Sequence, residues 1–295
     1  VQVGIRVQHL APKVVILGAG SLFFGRKAVW QMLHSPHLRT GTLALVDTDA
    51  DRLAKMKTLA EKAIAHNDAP LKLEASTDRR EVLKDADFVV FSFADRNAHF
   101  RGVDCDTSVK YGIRMCSGDT IGPGGVFRTL REWPEIAGSA RDVLELCPDA
   151  WVINYINPAA VHGMGLARFF PELKSMALCD AQFTLHENYA KAAGVPFDDK
   201  LKLRSGGPNH FTWLLEASYD GKDILPDIVD HVRKNADDDL NQQAQGYATQ
   251  AKGWLNNGIA VELHDAFGYL PTVLAHTKEY VRFYQRPGTV GRDTH

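Results

Sequence analysis

The sequence predicts a doubly wound α/β fold built on a parallel sheet, followed by a smaller α+β unit. Three observations carry that prediction. Short apolar runs alternate with amphipathic helical stretches from residue 13 to about 193, as in a parallel sheet with helices on both faces. The first run, Val14-Val15-Ile16-Leu17, ends in Gly18-Ala19-Gly20-Ser21, and the second, Leu43-Ala44-Leu45-Val46, ends in Asp47. Near Val195 the alternation breaks and two longer runs face each other across a glycine-rich turn.

Taken in order, residues 13–18 read as the first strand and 21–34 as the first helix. A second strand follows over 42–47, then a helix from Asp49 to His66 with Leu53, Met56, Leu59, Ala60 and Ala63 at helical spacing. Leu71–Ala75 reads as a short strand, Asp78–Leu83 as a short helix and Asp87–Phe93 as a buried strand. Arg96–Gly112 is expected as a loop and helix over the cleft. The stretch 118–125 holds four glycines and Pro123, which reads as irregular backbone, with a helix from Phe127 to Leu146 after it. Ala150–Pro158 is the next strand, Gly163–Phe170 a helix, Met176–Asp180 the last parallel strand and Leu185–Ala193 its helix. Beyond Val195, Lys200–Arg204 and Phe211–Tyr219 read as antiparallel strands, and Leu225–Asp265 as mostly helical. The domains expected are therefore 1–194 and 195–295.

The chain of 295 residues is long enough for two domains. A net charge of −2 gives no broad electrostatic reason to expect nucleic acid or an anionic membrane as partner. The four cysteines, Cys105, Cys116, Cys147 and Cys179, have no CxxC spacing, which suggests reduced thiols in a cytoplasm. Val1–Pro12 lacks a signal-peptide pattern, and no apolar run reaches the roughly 20 residues that span a bilayer.

The glycine turn is the first motif with chemistry. Gly18 permits a tight turn, and Gly20 lets the backbone approach a bound group where a Cβ would stand in the way. Free N–H groups at the start of the helix would face a pyrophosphate. Ser21 belongs to the same turn. The third glycine, Gly25, comes later than in the standard GxGxxG fingerprint. Asp47 closes the second strand, in the place of a carboxylate that binds a ribose hydroxyl, which favours NAD over NADP. The plain alternative is an ordinary strand-to-helix turn with a strand-end Asp.

Six segments in order resemble glycoside hydrolase family 4, the NAD- and metal-dependent glycosidases. They are Gly18–Ser21 with Asp47, the Gly118-Asp119-Thr120-Ile121-Gly122-Pro123-Gly124-Gly125-Val126-Phe127-Arg128 stretch, Asn154–Pro158, Cys179, Pro208-Asn209-His210, and Phe267–Thr272. The resemblance runs from residue 13 to about 284. It implies a Rossmann-like fold similar to lactate and malate dehydrogenases. The implied reaction is a redox-neutral elimination. NAD takes hydride from the sugar C3, a base removes the C2 proton, and a divalent metal, usually manganese, stabilises the enolate. The aglycone then leaves, water adds and the hydride returns.

The resemblance assigns Cys179 and His210 as metal ligands, which their donor chemistry suits. It makes Asn157, Asn209 and Arg128 substrate-binding residues, with Arg101 and His276 as further candidates for an anionic group. Asp119 would position the sugar or orient a catalytic group, unless it only caps its turn. For the C2 base, counting back from Gly268 favours Glu262, with Asp265 second and Tyr247 third; such a base needs a pKa raised by burial. The sequence departs from much of the family in having Asp180 rather than His after the cysteine. That leaves the sugar open, including the sulfoquinovosides of a related NAD-dependent group. Family members continue well past the Gly-Tyr-Leu-Pro-Thr segment, so the second domain is expected to be incomplete. The partners expected are a small glycoside, anionic or neutral, and further copies of the chain. Two competing readings stay open: a simple lactate/malate-type or sugar dehydrogenase, and a noncatalytic NAD sensor.

Overall fold

A computed structural model describes residues 11–113, 122–179, 183–208, 211–236, 257–272 and 280–281. The chain divides into two compact units, one made of residues 1–101 and 121–178, the other of 102–120 and 179–295.

The first unit is a six-stranded, all-parallel sheet. Its strands are β1 (Lys13–Leu17), β2 (Thr42–Val46), β3 (Lys72–Ser76), β4 (Phe88–Phe91), β5 (Trp151–Asn154) and β6 (Ser175–Ala177), in the order β3-β2-β1-β4-β5-β6. After β3 the chain crosses to the other side of β1, so the order reverses between β1 and β4. The carboxyl ends of those two strands form the crevice where ligands bind in such sheets. Alternating residues of each strand feed two cores. Val14, Ile16, Leu43 and Leu45 pack with Val29 and Met32 of α1 (Phe24–His34) and with Leu53, Met56 and Ala60 of α2 (Ala50–His66). Val15, Leu17, Val89, Phe91 and Val152 pack on the opposite face with Ile136, Ala140 and Val143 of α4 (Gly122–Leu146) and Leu166 of α5 (Ala159–Phe169). This two-sided burial explains why the central strands β1, β2 and β4 are nearly continuous apolar runs, whereas the edge strand β3 holds no buried residue. The remaining helix of this stretch, α3, spans Asn97–Lys110.

The second unit is antiparallel. Its central strand β8 (Trp213–Tyr219) pairs with β7 (Leu201–Gly206), β9 (Lys222–Asp223) and β10 (Leu270–Pro271). The turn into β9 uses positive φ at Asp220 and Gly221, as a tight hairpin requires. One core joins Leu214 and Ala217 of β8 to Tyr189 of α6 (Phe183–Ala192), Ile228 and Val232 of α7 (Leu225–Lys234), and Ile259 and Leu263 of α8 (Asn257–Phe267). The Tyr189 hydroxyl, fully buried, donates to the Pro271 carbonyl at 3.1 Å.

Several boundaries differ from the sequence reading. The first helix starts at Phe24 rather than residue 21, after a turn in which Ser21 Oγ accepts from the Phe23 and Phe24 N–H groups. Residues 122–125 are helical rather than irregular. Pro123 sits in the first turn, where its missing N–H costs nothing, and Gly124 and Gly125 are buried there. The helix expected from Gly163 begins at Ala159, directly after Pro158. The last parallel strand stops at Ala177, before Cys179. The helix α6, expected as the closing helix of the first domain, belongs to the second unit because Tyr189 is buried in its core. Among the described residues no helix is long and apolar enough to cross a membrane.

Candidate active site

The glycine turn leaves β1 at the crevice. Gly18 has φ +91°, and a Cβ there would stand 2.7 Å from the backbone of Ser92 and Phe93 at the end of β4. Its N–H and that of Ala19 both donate to the Val46 carbonyl at 2.9 Å, which pulls the turn against the end of β2. A Cβ on Gly20 would meet the Asp47 carboxylate and the Arg52 Cβ, and one on Gly25 would run into the Ala19 carbonyl. Gly25 therefore supplies the close helix-to-turn approach that the third glycine of a dinucleotide fingerprint serves, although it stands later in the chain. Ser21 Oγ accepts from the Phe23 and Phe24 N–H groups at 3.3 and 3.2 Å, closing the entry to α1.

Asp47 is tied into the same turn. One carboxylate oxygen accepts from Gly20 N–H at 2.8 Å and the other from Asp49 N–H at 3.0 Å. Each oxygen has a further lone pair for a ligand hydroxyl. Gly18, Gly20, Ser21 and Asp47 are thus brought together in one tight cradle, whose glycines let its own backbone and the Asp47 carboxylate pack closely. That shape fits a dinucleotide.

At the carboxyl end of β5 a second polar group gathers. Asn154 is 0% exposed, and its side chain both donates to the Ile156 carbonyl (3.1 Å) and accepts from the Ile156 N–H (3.3 Å). His162 of α5, also 0% exposed, holds Nδ1 3.1 Å from the same carbonyl. Asn157, half-buried, follows this clamp and is joined to Pro158 by a cis peptide bond. On α4, Arg128 is 7% exposed and Glu132 4% exposed. Burial raises the Glu132 carboxyl above the usual range, against the opposing pull of Arg128 and Arg131 and a backbone hydrogen bond from Asp95. Burial pushes the His162 imidazole down to about 4, and the Arg128 charge pushes the same way. Neither Glu132 nor His162 stood out in the sequence. The signal that marks them is a charged or titratable residue on an otherwise apolar helix face.

The other predicted residues are more scattered. Cys179 lies two residues past β6 as a partly buried thiol. Glu262 and Asp265 sit on α8, both exposed. Asp265 is ion-paired with Arg233, and that hydrogen bond lowers its carboxyl pKa, the opposite of what a C2 base needs. Arg101 is half-buried on α3. Asp119, Asn209, His210, Tyr247 and His276 lie outside the described residues. Among the described residues no three His, Cys, Asp or Glu side chains stand together as a metal site.

The sequence profile of "Family 4 glycosyl hydrolase" matches residues 13–195, and that of the "Family 4 glycosyl hydrolase C-terminal domain" matches 206–294. An Erwinia rhapontici alpha-glucosidase is 32% identical over 92% of this chain and 66% of its own length. A Bacillus subtilis alpha-galactosidase is 29% identical over 92% of this chain and 60% of its own. This chain thus spans about two thirds or less of those relatives. A 6-phospho-alpha-glucosidase from gut microorganisms, solved with NAD and Mn2+, superposes with a TM-score of 0.78 at 24% identity, covering 92% of this chain and 61% of that one. Malate dehydrogenase from Cryptosporidium parvum shares the fold at a TM-score of 0.54 and 16% identity, over 90% of this chain and 75% of that one. The dehydrogenase-like sheet is common to both neighbours, while the two profiles together run over nearly the whole sequence; the chain belongs to family 4 of the glycosyl hydrolases.

Proposed function

We propose that this chain provides the NAD-binding and much of the catalytic framework of a glycosidase that cleaves by oxidation and elimination rather than by direct displacement. The observation that carries the proposal is the glycine cradle closed by Asp47, in a chain of family 4. A hydrolase that used two carboxylates alone would have no use for such a cradle. The relatives named alpha-glucosidase and alpha-galactosidase support a glycoside as the substrate, and a structural neighbour solved with NAD and Mn2+ supports that cofactor pair. NAD supplies a reversible hydride acceptor for the sugar C3, and a divalent metal supplies a Lewis acid for the ketone oxygen.

The chain's own residues divide the remaining work. Gly18 and Gly20 keep the turn tight against the ends of β4 and β2 so that the cofactor can lie across it, and Asp47 accepts from the ribose hydroxyls. Cys179 and His210 hold the metal. Asn157, Asn209 and Arg128 bind the sugar. Glu262 removes the C2 proton, ahead of Asp265, whose ion pair with Arg233 weakens it as a base. Asp119 orients the sugar. The unit of residues 1–101 and 121–178 serves as the cofactor domain, and the unit of 102–120 and 179–295 as the substrate and metal domain. The substrate is a small glycoside, neutral or anionic (a neighbour was solved with glucose-6-phosphate), and the enzyme works in the cytoplasm as an oligomer.

The test is a panel of p-nitrophenyl glycosides incubated with the protein, NAD and Mn2+ in deuterated water. Release of sugar carrying deuterium at C2, with no net NADH, is the expected result. Net NADH accumulation would replace this reading with a simple dehydrogenase. Hydrolysis without NAD or without exchange at C2 would remove the elimination route.

A further inference from the structure

The buried group at the end of β5 contains more machinery than sugar binding by Asn157 alone requires. The Ile156 carbonyl takes two donors at once, Asn154 Nδ2 and His162 Nδ1, each at 3.1 Å. A carbonyl only accepts, so the imidazole carries its proton on Nδ1. The ring is also fixed from outside the clamp. It stacks on Trp133 of α4, with centroids 6.4 Å apart and planes at 27°, and its backbone N–H donates to Pro158 in the first turn of α5. Among the described residues its Nε2 meets no hydrogen-bond partner. A fully buried imidazole with one unmet nitrogen is a costly way to fill space that an apolar ring would fill as well.

We infer that His162 is a positioning residue for Asn157, acting through the Ile156 carbonyl. The peptide unit is planar, so the direction of that carbonyl fixes the N and Cα of Asn157. Asn154 alone ties the turn to its own strand. The second donor comes from α5 and fixes the plane against a separate element, so the carbonyl is held from two directions. The ring is suited to this because it stays neutral. Burial and the Arg128 charge both oppose a second proton, so the Nδ1 hydrogen bond does not change character over the working pH range. The role assigned to Asn157 rests on the glycosidase reading, whereas the mechanical link from His162 to Asn157 does not.

Side-chain isosteres separate positioning from packing. The Asn amide nitrogen falls near the place of imidazole Nδ1, and that of Gln near the place of Nε2. A His162→Phe variant keeps a ring against Trp133 and removes the donor. The first readout is the side-chain amide signal of Asn157 in proton–nitrogen correlation spectra of the full chain, assigned by its loss in Asn157→Asp. It is expected to stay in place in His162→Asn and to shift in both His162→Gln and His162→Phe. The second is turnover of a p-nitrophenyl glycoside that the wild type hydrolyses. There kcat is expected to fall about 10- to 100-fold in the Gln and Phe variants, with a smaller change in KM, and to stay within about threefold in the Asn variant. An Asn157 signal that moves alike in all three variants, or in none, overturns the inference. Equal kcat losses in Asn and Phe do so as well. A wild type that hydrolyses no glycoside with NAD and Mn2+ counts against the functional reading, and the amide signals still decide the link from His162.

Discussion

Two polar regions lie at the same edge of the parallel sheet and are built in different ways. The cradle at β1 works through backbone: two N–H groups on the Val46 carbonyl, and one carboxylate spanning the N–H groups of Gly20 and Asp49. The group at β5 works through buried side chains drawn from three elements, Asn154 on the strand, His162 on α5, and Arg128 with Glu132 on α4. The first tolerates almost no change of shape, because what it needs is the absence of a Cβ. The second is sensitive to charge, because two of its members, His162 and Glu132, are titratable and shielded from water. Shape should therefore fail at the cradle and pH should act at the clamp.

The largest expected effect belongs to His162. Its native pKa of about 4 lies below the ordinary value of 6.5. Between those values the unfolded chain binds a proton that the native chain refuses. The contribution is thus fully present above pH 6.5 and is lost as the pH falls towards 4, by roughly 3 kcal/mol in all. Urea unfolding from pH 7.5 to 4.5 should show that acid limb, and His162→Asn should flatten it, starting from a lower plateau because the stack on Trp133 is gone. An unchanged limb would mean that other groups set the acid sensitivity.

Next is Gly25→Ala. Alanine improves helix propensity by about 1 kcal/mol, yet its Cβ would collide with the Ala19 carbonyl, and backbone collisions of this kind cost about 3 kcal/mol. The clash should win, with a net loss of about 2 kcal/mol by urea titration at every pH. A stabilised variant would break the comparison outright. Asp47→Ala comes third. Removing the acceptor for two N–H groups should cost about 1 kcal/mol of stability and weaken NADH binding about tenfold, the latter read by fluorescence.

The smallest effect is expected at Glu132, with the opposite sign to His162. A raised carboxyl pKa means that the native chain holds a proton the unfolded chain has already released. Stability from this group is present at low pH and falls as pH rises through the native value. Glu132→Gln should therefore raise the thermal midpoint by about 3 °C at pH 8, with the gain shrinking towards pH 5. The charges facing this group, Arg128, Arg131 and Asp95, are all retained in that variant.

The same contrast explains what the sequence made legible. The cradle was readable because glycine and a strand-end Asp are local signals: Gly18, Gly20 and Asp47 lie within 30 residues and their demands are steric. The parallel sheet is legible because its central strands β1, β2 and β4 are apolar on both faces. Ser21 lies in the turn before the helix, and a serine fits either place by composition alone, its hydrogen bonds to Phe23 and Phe24 deciding. Residues 122–125 are helical against their glycine-rich composition, and Pro123 at the helix start is the opposing signal. The clamp at β5 was missed for another reason. Asn154, His162 and Glu132 are unremarkable singly, and only the packing of α4 and α5 on the sheet makes them a group. The short partner strand β10 escaped for the same reason, since two residues opposite Trp213 and Leu214 carry no pattern of their own.

The contact of Gly18 with Ser92 and Phe93 also fixes an order of events during synthesis. The glycine turn is made early, and β1, β2 and β3 can pair once residue 76 is available. The far wall of the cradle is the end of β4, at Ser92 and Phe93, far downstream of the turn at Gly18 that it touches. At ribosomal speed that wall arrives on the order of a second after β3 is complete. A nascent chain therefore carries a half-formed glycine cradle with the β4 edge of β1 still unpaired. On the proposed reading, a dinucleotide can act as a folding ligand only after Phe93 has emerged, and a fragment ending before that residue should bind none.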